Sequence, residues 1–168
     1  MNDRQRAAEE VKMKKILVSE CLYGGRAVRY DGGLKEEKDP RFLKWKVEGR
    51  LIPVCPEVFG GLPIPRPDSQ RKGDRVVSRN GRDVTEEYMK GARMTLEIAK
   101  AEGVSAAILK ENSPSCGVEM IHDGNFSGVK VPGRGVTTEL LIDAGFTVFS
   151  EKQLDQVEEY LAQLERDV

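Results

Sequence analysis

Residues 83–109 read Asp83-Val84-Thr85-Glu86-Glu87-Tyr88-Met89-Lys90-Gly91-Ala92-Arg93-Met94-Thr95-Leu96-Glu97-Ile98-Ala99-Lys100-Ala101-Glu102-Gly103-Val104-Ser105-Ala106-Ala107-Ile108-Leu109, and the fold is decided there. Val84, Tyr88, Ala92, Leu96 and Ala99 recur at helical intervals and make one apolar face. Asp83 with Glu86 three residues on has the form of a capping box, and Gly103 supplies a stop. An apolar run of strand length, Val104–Leu109, follows at once. Helix and then buried strand is half of a βαβ unit. Working outward, further strand-length runs appear at Ile16–Ser19, Leu51–Val54 and Phe146–Phe149. Between them lie helical patterns at Pro40–Val47 and at Thr137–Ala144, which Gly145 ends. A last helix is opened by Ser150 with Gln153 and striped by Leu154, Val157, Leu161 and Leu164. Strands alternating with helices predict an α/β fold: a mainly parallel sheet, right-handed crossovers and helices on both faces, a Rossmann-like three-layer sandwich.

The 168 residues fit one domain, expected over residues 13–168, with residues 1–12 as a flexible extension. Lys and Arg number 27 against 28 Asp and Glu, a net charge of −1, so no global field draws the chain to large nucleic acid or anionic lipid. No apolar run approaches the roughly 18 residues of a membrane span. The polar start, Met1–Glu10, lacks the apolar centre of an export signal, and a cytoplasmic protein is expected. Two irregular stretches interrupt the pattern. Gly60–Asp83 holds Pro63, Pro65 and Pro67, with a short hairpin expected around Asn80-Gly81. Val118–Gly135 has room for a small antiparallel pair. Long irregular segments in a compact domain are commonly functional.

Three cysteines, an odd number, argue against a disulfide framework and leave buried thiols, a reactive thiol or metal ligands. Each lies at or just beyond the end of an expected strand: Cys21, Cys55 and Cys116. In an open parallel sheet those ends face one crevice, where such folds bind ligands. The spacings match no compact zinc or ferredoxin run, so pattern alone names no metal. Cys55-Pro56-Glu57 and Ser113-Pro114-Ser115-Cys116-Gly117 are stiff polar turns and not apolar runs. Glu57 is placed to move a proton beside bound metal, or else is an ordinary surface or cap glutamate. Ser113 either caps the turn before Pro114 or offers its hydroxyl to a ligand. Arg26, Arg29 and Arg66 sit in Gly- and Pro-rich loops, available for phosphate or carboxylate or simply solvated. Gly24-Gly25 and Gly60-Gly61 fit no nucleotide-binding fingerprint. The lone His122 joins no triad and reads as a strand or turn residue.

Ordered motifs run from Met13 to Glu151: Ser19-Glu20-Cys21-Leu22-Tyr23-Gly24, Arg29-Tyr30-Asp31-Gly32, Cys55-Pro56-Glu57, Gly60-Gly61-Leu62, Pro65-Arg66, Gly81-Arg82-Asp83-Val84-Thr85, Leu109 through Gly117, Asp123-Gly124, Gly133-Arg134-Gly135-Val136-Thr137 and Ser150-Glu151. Together they resemble a bacterial domain-of-unknown-function family, number 523, which includes the iron-sulfur-dependent 2-thiouracil desulfidases. The resemblance implies a 4Fe-4S cluster held by Cys21, Cys55 and Cys116, with the fourth iron left open for a substrate sulfur. It implies catalytic positions at Glu57 and Ser113. Ser19, Arg29, Arg66 and Ser115 would then stand around the substrate.

The implied activity is non-redox exchange of sulfur for oxygen in a small thiolated nucleobase or nucleotide, with release of hydrogen sulfide. Candidate substrates are 2-thiouracil, 4-thiouracil and 4-thiouridine monophosphate. An open iron acts as a Lewis acid, and a thiocarbonyl sulfur is a soft donor suited to it. Where relatives continue Pro-Arg-Pro with a proline and a later glutamate, this chain has Asp68-Ser69-Gln70, which bears on substrate preference. Two other functions compete: a non-catalytic iron-sulfur or zinc protein whose three-cysteine site is structural or redox-sensing, and a metal-free thiol enzyme.

Overall fold

A computed structural model describes residues 2–6, 14–33 and 35–167, so the expected extension over residues 1–12 lies mostly outside the described residues. The elements in chain order are β1 (Ile16–Ser19), α1 (Glu20–Tyr23), α2 (Pro40–Val47), β2 (Leu51–Val54), α3 (Pro56–Phe59), β3 (Ser69–Lys72), β4 (Arg75–Ser78), α4 (Thr85–Glu102), β5 (Ala106–Leu109), β6 (Met120–His122), β7 (Lys130–Pro132), α5 (Val136–Asp143), β8 (Val148–Ser150) and α6 (Leu154–Arg166).

β2, β1, β5 and β8 form one sheet in that order, every pair parallel, with Ser19 opposite Val54, Val18 opposite Ile108 and Leu109 opposite Ser150. Alternation along β1 sorts its residues to two buried faces. Ile16 and Val18 pack with Phe42 and Trp45 of α2 and with Leu154, Val157 and Leu161 of α6. Leu17 packs on the opposite side with Ala99 of α4 and Leu141 of α5. Ile16, Leu17 and Val18 are fully buried, each contributing about 1.5–3 kcal/mol. The α/β sandwich expected from the alternating runs is therefore present.

Differences are local. The N-cap of α4 is Val84, whose side chain cannot accept, and Asp83 one place earlier accepts from Thr85 N at 2.9 Å, so the capping box expected of Asp83 with Glu86 is absent. An antiparallel bridge between Val77 and Asp83 ties the residues before α4 to β4, and Asp83 also accepts from Arg75 Nε at 2.9 Å. The principal hairpin pairs β3 with β4 around Gly73-Asp74. Gly73 has φ +61°, the positive value that a primed hairpin turn needs at its first loop residue. Asn80-Gly81 makes a second tight turn, closed by Ser78 N donating to Arg82 O at 2.8 Å. Phe146 is not in a strand. Its N–H donates to Leu141 O at 3.0 Å while Gly145 N donates to Ile142 O at 2.9 Å, a Schellman ending of α5 that delays β8 to Val148. β6 and β7 form the expected small antiparallel pair.

From the central strand β1 the chain moves to β2 on one side and later returns to β5 on the other. The carboxyl ends of β1 and β5 are thus a topological switch point, where a crevice is expected.

Candidate active site

A cavity of about 300 Å3 opens at these strand ends, and Ser19, Cys21, Arg29, Cys55, Glu57, Arg66, Ser113, Ser115 and Cys116 all line it. Cys21 sits in α1, directly after β1. Cys55 is the residue between β2 and α3, and Cys116 lies in the loop after β5. All three thiols are free, with Cys55 and Cys116 buried and Cys21 partly so. Burial pushes the Cys21 thiol up to about 12, against the moderating charges of Arg29 and Lys110. Burial raises Cys55 and Cys116 as well, and charge on Cys21 or Cys55 would raise Cys116 further. Such sulfurs stay protonated unless a cation replaces the proton, so the donor set favours a thiophilic metal group. No three His, Cys, Asp or Glu side chains among the described residues converge on a single-ion point. The sulfurs share a cavity wide enough for a larger group.

Glu57 belongs to α3, a single turn that packs against α4. A Cβ on Gly91 would lie 1.8 Å from Pro56 O, so only glycine allows that approach. It brings Tyr88 of α4 over the carboxylate, where the hydroxyl donates to Glu57 Oε1 at 2.7 Å. The other oxygen accepts from Arg66 Nε at 3.1 Å and from Arg66 Nη2. Burial and the neighbouring Glu57 charge hold the Tyr88 hydroxyl well above its usual range, so it remains a donor. Arg66 is no solvated loop arginine. Its side chain is 4% exposed, and it also donates to Val28 O at 3.0 Å and Pro63 O at 3.1 Å.

The loop carrying Cys116 is built around Glu111, which is 5% exposed. Glu111 Oε1 accepts from the N–H groups of Asn112 at 3.2 Å, Val118 at 2.7 Å, Glu119 at 3.1 Å and Met120 at 3.3 Å. Ser113 Oγ accepts from Ser115 N and Cys116 N, both at 3.0 Å, which leaves its hydroxyl hydrogen to donate elsewhere. Ser115 turns its hydroxyl to Thr137 Oγ1, 2.8 Å away. Gly135 closes the loop from behind: a Cβ there would stand 2.3 Å from Ser115 C. Ser19 Oγ accepts from Lys110 N at 2.9 Å, joining the ends of β1 and β5, and a bond from Ser19 steadies the Cys116 thiolate. Arg29 makes a loose ion pair with Asp31 at 3.7 Å.

Of the candidate site residues named from sequence, Arg26 alone stays outside this cavity, paired with Glu20 at 2.7 Å, and several other lining residues escaped that reading. Tyr88 was read as one of a core stripe. Glu111 lay unassigned within a motif, although a carboxylate before a run of turn residues is a capping signal. His122, read as a strand or turn residue, is in β6 and also lines the cavity, as does Gln70 of β3. Among the described residues no helix is long and apolar enough to cross a membrane.

Comparison with known proteins gives concordant results. The profile of the family described as 2-thiouracil desulfurase matches residues 16–153. A Bacillus subtilis (strain 168) protein named "Uncharacterized protein YbbK" is 43% identical over 152 residues, covering 84% of this chain and 99% of its own. A solved structure titled 4Fe-4S-dependent thiouracil desulfidase TudS is 46% identical, with a TM-score of 0.87, and the match covers 89% of this chain and 99% of that one.

Proposed function

Since the chain belongs to the 2-thiouracil desulfurase family, we propose that it hydrolyses the carbon–sulfur bond of a thiolated pyrimidine, using a 4Fe-4S cluster held by Cys21, Cys55 and Cys116. The observation that carries this reading is that three cysteines far apart in sequence line one cavity together with Glu57. The solved relative titled as a 4Fe-4S-dependent thiouracil desulfidase supports both the cofactor and the substrate class. Such a cluster, bound through three thiolates, supplies one iron with an open position as a Lewis acid for the soft thiocarbonyl sulfur.

The remaining work falls to the chain. Glu57 accepts a proton from the attacking water and returns it toward the leaving sulfur, a general base and acid in turn. Arg66 and Tyr88 grip both its oxygens, so its position is set before substrate arrives. Ser113 points its remaining hydroxyl hydrogen at the substrate or the water. Arg29 and Lys110 supply positive charge beside Cys21 and so favour its thiolate. The overall change is thiocarbonyl plus water to carbonyl plus hydrogen sulfide, with no net electron transfer. Substrates in this class are 2-thiouracil, 4-thiouracil and 4-thiouridine monophosphate.

The test is turnover of these compounds in 18O-labelled water by protein purified and reconstituted without oxygen. One sulfide released per carbonyl formed, the label in that carbonyl and no requirement for a reductant are expected. Failure to convert any of the three compounds refutes the proposal.

A further inference from the structure

We infer that Arg66 is a positioning residue that couples the cavity wall made by Val28, Arg29 and Tyr30 to the Glu57 carboxylate. All three wall residues line the cavity and belong to an irregular stretch between α1 and α2. Residues 26–33 fold largely on themselves: Gly32 N donates to Arg29 O at 2.9 Å, Arg29 N to Gly33 O at 3.4 Å and Gly33 N to Asp31 Oδ1 at 2.8 Å. Among the described residues, their hydrogen bonds to the rest of the chain are those with Arg66 and an exposed pair between Arg26 and Glu20. Arg66 N donates to Tyr30 O at 2.7 Å, and Arg66 Nη2 donates to Val28 O at 3.0 Å. Val28 adds a buried side chain, but the inward polar ties of the wall converge on Arg66.

Arg66 has one anionic partner among the described residues. Its side chain is almost fully buried, and Glu57 Oε2 accepts from both Nε and Nη2. The other acceptors, Val28 O and Pro63 O, are neutral carbonyls. Nη2 is thus shared between the carboxylate and the wall, one N–H to each. A buried guanidinium left without its carboxylate is strongly unfavourable. The wall covers Nη2 on the side of Val28 O, so an uncompensated charge favours states in which the wall has moved off and water has reached the guanidinium. Lysine cannot take this place, because an ammonium lacks the planar fork that meets Glu57, Val28 O and Pro63 O together.

Two cavity-facing groups stand on the wall so held. The guanidinium of Arg29 has only a loose ion pair with Asp31 at 3.7 Å and lies 5.6 Å from the centre of the Tyr30 ring. A ligand group touching this wall and one touching Glu57 therefore act on the same residue, and such coupling is reciprocal. Tyr88 provides the contrast: it grips the other oxygen of Glu57 and makes no hydrogen bond to the wall. The coupling needs Glu57 only as a carboxylate, so it goes beyond the desulfidase reading and does not depend on it.

The experiment is hydrogen–deuterium exchange of the cluster-loaded full chain, resolved at the amides of Arg29, Gly32 and residue 66, with Val18 and Ile108 of the central strands as an internal reference. Glu57→Gln is expected to speed exchange at the first three amides about tenfold or more while the reference keeps its rate. Arg66→Lys should do the same at Arg29 and Gly32. Tyr88→Phe removes one grip on Glu57 but keeps the ion pair, so all three amides should stay within about twofold of the parent. Unchanged exchange in Glu57→Gln overturns the coupling, because Arg66 then pins the wall without its carboxylate. Equal acceleration of the reference strands overturns it as well, as does a Tyr88→Phe effect that matches Glu57→Gln. Exchange is read without turnover, so the two claims separate. A chain that shows the expected pattern yet leaves thiouracil intact contradicts the desulfidase reading alone. One that converts thiouracil without the pattern contradicts the coupling alone.

Discussion

Two strand-end loops each bring one cysteine and one carboxylate to the cavity, and they use the carboxylate in opposite ways. In the turn after β2, Glu57 is held by side chains, Arg66 and Tyr88, and keeps an edge in the cavity. In the loop after β5, Glu111 is taken up by four backbone N–H groups. A carboxylate held by side chains on other elements can be oriented toward a substrate. One saturated by its own loop shapes that loop. Under the proposed mechanism the first arrangement serves chemistry and the second construction, and substitutions should separate them.

The sharpest separation is expected at Glu57. Glu57→Gln keeps the shape but removes the proposed base and the charge opposite Arg66, so turnover should fall by about a hundred- to ten-thousand-fold. Iron content should stay near that of the parent, while the melting temperature falls only as far as the unpaired Arg66 demands. Glu111→Ala should behave in the reverse order. Its four N–H groups lose their acceptor, so denaturant titration should show a loss of about 3 kcal/mol, with poorer iron retention as the Cys116 loop loosens. If Glu111→Ala leaves stability intact while abolishing turnover, the division between the loops is wrong.

Smaller effects refine the contrast. Tyr88→Phe keeps the buried ring and removes one grip on Glu57, so kcat should fall about tenfold with KM little changed. Steady-state kinetics on 2-thiouracil decide it. The smallest effect is expected at Glu151, which accepts from Glu111 N at 2.9 Å and whose carboxyl is raised by burial above its ordinary value of 4.5. The folded chain therefore retains that proton at a pH where the unfolded chain has released it. The contribution is intact below 4.5 and is lost as pH climbs through the raised folded value. Glu151→Gln keeps the acceptor oxygen and should flatten this decline in denaturation midpoints measured from about pH 4 to 7.

The sheet could be read from sequence because strands buried on both faces appear as plain apolar runs, and the cysteines could be placed because they follow those runs. What escaped was set by packing between elements. Tyr88 and Glu57 are 31 residues apart and meet only because Gly91 lets α4 press against Pro56. A tyrosine in a helical apolar stripe looks like core until its hydroxyl is seen to have a partner. Glu111 sits among polar turn residues and looks solvated, yet the following residues fold over it. The hairpin signal at Asn80-Gly81 marked a real turn, but the longer ladder chose Gly73-Asp74 because β3 and β4 lie on either side of it.

Whether three separate strand ends jointly anchor one cluster is tested most directly by Mössbauer spectroscopy and iron and sulfide analysis of the anaerobically reconstituted chain beside Cys21→Ser, Cys55→Ser and Cys116→Ser. The wild-type chain is expected to hold about four iron and four sulfide, with one iron site distinct from the other three, and each serine variant to lose the cluster. A full cluster surviving in any one of the three variants would contradict the account.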